Sequence, residues 1–164
     1  MLDKAWLLEQ LKDKIADSAR VARVASSNAQ AQAEGASPAD RRADSRATLE
    51  HGRMAAAQGR RAKEAEAALV ALNRFEPKKI PGHGKRVAMG SIVELEDEEG
   101  LGRTVFLAPA GAGTTLTGPG GDGFLTVVTP TSPLGRAIRG RVEGDDVDVV
   151  IRGEPREWVI TYVD

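Results

Sequence analysis

Apolar and small residues recur through the first half of the chain in alternating steps of three and four. One series runs Leu8, Leu11, Ile15, Ser18, Ala22, Ala25 and Ala29; a second runs Ala55, Gln58, Ala62, Ala65, Leu69 and Leu72. That spacing is the a/d seam of a coiled coil, and strong helix formers fill the positions between. The two series fit each other antiparallel: Leu8 with Leu72, Leu11 with Leu69, Ile15 with Ala65, Ala22 with Gln58, and Ala25 with Ala55. Every pair is symmetric about residue 40, so residues 1–75 are expected to form a helical hairpin with its tip near 35–47. Gly35 suits a helix end, and Ser37-Pro38 suits an N-cap followed by the first helical position. Arms of about thirty-five residues would reach roughly 50 Å. Leu, Ile, Trp6 and Phe75 weight the open end, whereas the seam toward the tip is Ala, Ser and Gln. A seam of small residues buries little area, at ~25 cal/mol per Å², so the hairpin should be firmest at its base.

Residues 76–86, EPKKIPGHGKR, read as a linker by their prolines and glycines. Beyond them the period changes to two. Ile92–Glu96 and Thr104–Leu107 read as strands joined by the acidic turn from Asp97 to Gly102. Pro109 to Gly123 reads as a loop around a short strand, Thr115–Thr117, and Phe124–Val128 as a further strand. Ser132 is placed to cap a short helix opened by Pro133. Val147–Ile151 and Trp158–Val163 complete a sheet across a turn at Gly153. The expected class is α+β: an antiparallel helical hairpin followed by a small domain over 87–164, with five or so strands and one short helix.

Composition narrows the chemistry. In 164 residues there is no cysteine, which removes disulfides, thiolate metal sites and cysteine nucleophiles. Aromatic residues make up 4% of the chain, so the core must be aliphatic. A formal charge of −1 gives no overall attraction to nucleic acid or to an anionic membrane. No run approaches the ~18 apolar residues of a membrane span, and MLDKAWLLEQLKDK lacks a signal-peptide apolar region. A cytoplasmic protein is the expectation.

One string is more specific. SPLGRAIRGRVEGDDVDVV, Ser132 to Val150, resembles the SPLGRALLGKKVGDEVEV-type signature in the C-terminal domain of bacterial Gre (GreA/GreB) transcription elongation factors. MGSIVELEDEEG resembles the family's first strand, and WVITYV its closing strand. The helical half is similar in size and order to the family's coiled coil. An ungapped comparison places ADSRATLEH, residues 43–51, on the family's tip string GDLKENAEY, and brings Gln58-Gly59-Arg60 onto a QGR-type stretch. The resemblance implies an FKBP-like C-terminal domain, bacterial RNA polymerase as partner, and a coiled coil entering the polymerase secondary channel. There it would stimulate the polymerase's own cleavage of backtracked RNA. It also implies a monomeric accessory factor without an active site or membrane contact. No tightly bound cofactor is expected and no metal in the free protein; Mg²⁺ would be shared with the polymerase, and nascent RNA would be met only in the complex.

Carried over residue by residue, Asp44 stands at the family's first key tip acid, and Ala47 replaces the second. Glu50 matches a further acidic position, and Asp40 lies nearby. Mg²⁺ prefers oxygen ligands and keeps several waters, so added carboxylates suit it. Arg41, Arg42 and Arg46 among them would pair with carboxylates or phosphate instead. The bland alternative for Asp40 and Asp44 is a charge favourable to a helix N-terminus, worth ~0.3–1 kcal/mol; for Glu50 it is an ion pair with Arg53. Arg46, Arg53, Arg60 and Arg61 are the candidate RNA-proximal basic residues, against the alternative of a solvated face. Phe106, Leu134, Arg136, Ile138 and Arg139 are the candidate docking residues, although Leu134 and Ile138 at i,i+4 equally suit a core-facing stripe. His51 and His83 have no ligand spacing, and the glycines of 111–123 form no phosphate loop. Three activities stay open: a cleavage stimulator, a Gre-like inhibitor, and an FKBP-like peptidyl-prolyl isomerase. The last would need an aromatic-lined pocket.

Overall fold

Two long helices form where the a/d series run. The computed structural model of the chain describes residues 3–35, 45–77, 85–118, 121 and 123–164. Helix α1 spans Lys4–Glu34 and α2 spans Ser45–Asn73. Asp3 opens α1 as its cap, with its Oδ1 accepting from the Ala5 and Trp6 backbone N–H groups at 2.9 and 3.4 Å. Of the expected hairpin tip near 35–47, residues 36–44 lie outside the described residues, as do 78–84 of the expected linker.

The chain divides into two compact units, residues 13–69 and residues 1–12 together with 70–164. Within 13–69 the helices run antiparallel. Ser26 Oγ donates to the Ala55 carbonyl at 2.9 Å, and the earlier Arg23 reaches the later Glu66 through Nε and Nη2. Among the described residues here, Ala19, Ala22, Ala29 and Ala62 are the buried apolar side chains. Four alanines bury little surface, so this unit is held by close helix approach more than by transfer of bulk from water.

The second unit is built on a six-stranded sheet: β1 Ile92–Asp97, β2 Gly102–Leu107, β3 Thr115–Thr117, β4 Phe124–Val128, β5 Asp146–Ile151 and β6 Glu154–Val163. The strand order is β3-β4-β2-β1-β6-β5. All neighbours are antiparallel except β2 and β4, whose parallel pairing sets Phe106 beside Val127. A parallel neighbour cannot be reached by a tight turn, and residues 108–123 supply the crossover by way of β3. Pro155 is tolerated in β6 because it pairs only with Val150 of β5, while β1 does not meet β6 before Trp158.

Both faces of the sheet are buried. On one, Val93, Leu95, Val105, Leu107, Val147, Val149 and Ile160 pack with Leu134 and Ile138 of the short helix α3, Pro133–Ile138. On the other, Ile92, Phe106, Leu125 and Val127 are buried, as are Leu7, Leu8, Leu11 and Leu72 from the helix ends in the same unit. Gln10 fastens this side to β3: its Oε1 accepts from Thr117 N at 2.8 Å, and its Nε2 donates to the Thr117 carbonyl and hydroxyl.

Helix α3 sits inside the SPLGR string. Ser132 Oγ accepts from Gly135 N at 3.2 Å and donates to the Thr129 carbonyl at 2.8 Å, and Pro133 supplies the first helical residue. Gly135 has no room for a side chain, because a Cβ there would lie 1.9 Å from the Thr129 carbonyl oxygen. That neighbour is backbone and cannot step aside. Replacing Gly135 with Ala is therefore expected to cost about 3 kcal/mol or more, read as a lowered urea midpoint with an unchanged slope.

Asp164 ties the last strand to two lysines. Its backbone exchanges hydrogen bonds with Ile92 at 2.8 and 2.9 Å. Lys85 Nζ donates to its Oδ1 at 2.8 Å, and Lys4 Nζ stands 4.0 Å from its Oδ2. The hydrogen bond from Lys85 holds the Asp164 carboxyl below the ordinary value of 3.8. The same bond raises the Lys85 ammonium, whereas burial outweighs the attraction of Asp164 and lowers Lys4. A depressed carboxyl contributes stability that is fully present above its unfolded pKa and lost as pH falls through the folded one. Thermal melts of the Asp164→Asn variant should thus fall below wild type at neutral pH. The gap should close as the pH drops below about 3.8.

Candidate functional site

Asp40 and Asp44, the sequence candidates for tip acids, lie outside the described residues together with Arg41 and Arg42. Helix α2 opens one residue after Asp44, and the structure describes the rest of the candidate set on it. Arg46, Glu50, Arg53, Arg60 and Arg61 are all exposed. At ~100° per residue they fall within roughly 100° of the helix circumference, so they share one face. Ala47 is half-buried at its margin. Among the described residues no ion pair joins Glu50 to Arg53, nor engages Arg46, Arg60 or Arg61. Glu64, also exposed, falls inside the same arc, so this face presents four guanidinium groups and two carboxylates to solvent, a set able to hold phosphates and to offer oxygen ligands to a cation.

The docking candidates separate by burial. Phe106 and Ile138 are 0% exposed and Leu134 is 6% exposed. Their places are in the core, because Leu134 and Ile138 form the inner stripe of α3 and Phe106 faces the opposite side of the sheet. These three are core residues and not surface ones. Arg136 is exposed within α3 and Arg139 is exposed at its C-cap. Just beyond Arg139 the chain is clamped by backbone: Gly140 N donates to the Val87 carbonyl and Val87 N to the Arg141 carbonyl, each at 2.8 Å.

Two features escaped the sequence reading, both at the far end of β6. Glu157 lies directly opposite Asp148 in the β5–β6 register. The Asp148 charge raises the Glu157 carboxyl, with Glu98 adding to it. Asp97, Glu98, Glu99, Asp148 and Glu157 line a shallow cavity of about 470 Å³. Alternation of acidic residues along β5 was visible in DDVDVV, but cross-strand crowding depends on register. No three His, Asp or Glu side chains among the described residues are placed to hold a metal ion. The second feature is an adjoining cavity of about 620 Å³, walled by Arg103, Arg152, Arg156 and the edge of Trp158.

Aromatic residues are scattered. Phe106 is fully buried, Phe124 is 72% exposed and Tyr162 lies at the surface; Trp158 is the one aromatic lining the larger cavity, and the smaller cavity has none. A prolyl ring needs a desolvated aromatic cradle, and the two cavities do not provide one. No helix among the described residues is long and apolar enough to cross a membrane.

The chain matches no protein-family model and no curated protein. Among solved structures it is similar to GreA factor homolog 1 from Thermus thermophilus, at 21% identity over 99% of this chain and 95% of that one, with a TM-score of 0.40. The homologous factor from Thermus aquaticus gives 22% identity over 99% and 96%, with a TM-score of 0.41. A prokaryotic transcription elongation factor GreA/GreB from Nitrosomonas europaea gives 19% over 60% and 78%, with a TM-score of 0.38. Likenesses of this size carry no functional argument, which therefore rests on the residues of the chain itself.

Proposed function

We propose that the protein is an accessory regulator of bacterial transcription elongation. It would bind RNA polymerase through its sheet domain and insert the helical hairpin into the secondary channel. The observation that carries this reading is the exposed face of α2. Arg46, Glu50, Arg53, Arg60 and Arg61 follow directly on Asp44, on a chain that also bears the SPLGR string. Arginines spaced along one helix face suit the phosphates of a displaced RNA 3′ segment. The carboxylates of Asp44 and Glu50, with Asp40 nearby, would supply oxygen ligands at the polymerase active centre. Mg²⁺ held there would supply Lewis-acid polarisation of phosphate and water; Asp44 and Glu50 would orient that water through hydrogen bonds. The chemistry remains the polymerase's, and the factor acts by positioning.

A second reading, inhibition, is favoured by one observation: the position of the family's second tip acid is Ala47, with Arg46 beside it. A tip with fewer carboxylates and more guanidiniums would fill the channel and engage RNA without assisting hydrolysis.

Backtracked elongation complexes carrying labelled transcript separate the two. In the stimulatory case, adding the protein accelerates cleavage, Asp44→Ala lowers that acceleration by about tenfold or more, and Ala47→Glu raises it. In the inhibitory case, the protein slows both cleavage and extension, and Asp44→Ala leaves the slowing in place. Absence of any complex with polymerase on gel filtration sinks both readings. Replacing Arg53, Arg60 and Arg61 together by Gln is expected to weaken the effect on backtracked complexes more at low salt than at high salt, as phosphate contacts require.

A further inference from the structure

We infer that the cavity at the β5–β6 end of the sheet is a binding site for a carboxylate group. This goes beyond the polymerase reading and does not depend on it. The wall is formed by Asp97, Leu101 and Arg103 from β1, its turn and β2, and by Arg152, Glu154, Arg156 and Trp158 from the β5–β6 hairpin. Each of its two acids has one oxygen in a contact. Asp97 Oδ1 accepts the backbone N–H groups of Glu99 and Leu101 at 3.0 and 2.8 Å, closing its own turn. Glu154 Oε2 pairs with Arg156 Nη2 at 3.7 Å.

What remains is a set of donors. No hydrogen bond or ion pair among the described residues engages the guanidinium groups of Arg103 or Arg152. Trp158 is 6% exposed, and its indole Nε1–H is buried without an acceptor. An indole N–H left unpaired in the interior costs about 1–3 kcal/mol, and Trp158 is one of the side chains that line this cavity, so its N–H reports on what binds there. The register brings the donors to one side of the sheet: Trp158 pairs with Asp97, and Arg103 pairs with the neighbouring Leu95, which faces the same way as Trp158.

Arg152 adds a second observation. It occupies the first central position of the two-residue turn between Ile151 and Glu154, at φ 54°, with Gly153 following at φ 85°. Such a turn favours Asn, Asp or Gly at that position, and an arginine there holds the backbone in a region costly to ordinary side chains. The strain accompanies a guanidinium placed at the cavity wall.

Three guanidinium groups against two partly engaged carboxylates leave an excess of donors at this wall, and planar Arg groups suit the flat, two-oxygen carboxylate. The adjoining cavity sets the limit on its size. Glu98, Glu99, Asp148 and Glu157 lie beyond Asp97 and Glu154, and they repel any extended polyanion. A single carboxylate entering end-on satisfies the donors without meeting that row, whereas a strand of RNA does not. Its source is either a small free carboxylic acid or an acidic side chain of a partner protein.

The test uses the full chain carrying Trp6→Phe, so that one indole N–H resonance reports on Trp158 in a ¹⁵N-labelled sample. Glutarate, and a glutamate blocked as N-acetyl and C-amide within a short neutral peptide, are titrated separately at constant ionic strength, with sodium sulfate and an oligoribonucleotide in parallel. A saturable shift of the Trp158 N–H with the carboxylates is expected. Arg103→Gln and Arg152→Gly should each weaken it by about tenfold. Glycine relaxes the backbone at position 152, so the latter variant keeps the fold while deleting the guanidinium. Response to both carboxylates supports a free acid as sufficient ligand, and response to the peptide alone supports a partner's side chain. An unmoved Trp158 resonance overturns the inference. So does an equal shift with sulfate or RNA, or a shift that survives both arginine replacements.

Discussion

A six-stranded sheet has two faces to cover, and the described residues after the linker include a single α-helix, six residues long, with which to do it. Much of this fold follows from that shortage. Helix α3 covers one face with Leu134 and Ile138, and its own seat is so close that Gly135 meets the Thr129 carbonyl. The other face carries Phe106 with no exposed surface, alongside Leu7, Leu11 and Leu72 from the helix ends. The first turns of α1 and the last of α2 are therefore core elements of the sheet unit. The large aliphatic residues at the hairpin base serve the sheet as well as the seam, which explains why they are concentrated there. Gln10, with three hydrogen bonds to Thr117, satisfies backbone at the edge strand that would otherwise be left unpaired.

The unit formed by residues 13–69 follows a different economy. Its interior is alanine, and polar contacts such as Ser26 to Ala55 and Arg23 to Glu66 mark its register. Because so few side chains are consumed by packing, the outer face of α2 is available for arginines and Glu50. The exposed charge on α2 is thus a consequence of a narrow seam, since small residues leave most of the helix circumference in water.

Strand β6 shows how alternation divides two chemistries between the two faces of one strand. Glu157 points to the side on which Asp148 crowds it, and Trp158 and Arg156 to the other. A one-residue slip would exchange an acid row for a set of donors. The charge pattern of DDVDVV and EPREW cannot be interpreted until that pairing is known.

The sequence by itself determined the helices, their antiparallel order, and the strand segments, because each rests on periodicity within one segment. The capped start of α3 was equally legible, since Ser132 and Pro133 act through their own backbone. The burial of Leu134 and Ile138 was open as a core stripe against a docking surface, and that of Phe106 could not be read at all, since what lies over a strand is decided by distant chain. Ordering the strands, pairing β2 with β4 in parallel, and setting Asp148 against Glu157 required the tertiary structure for the same reason. So did the orphaned Trp158 N–H and the Arg152 turn: whether a donor has a partner depends on residues that meet only after folding. Local spacing fixes what an element is; contacts between elements far apart in the chain decide which of its groups remain free to act.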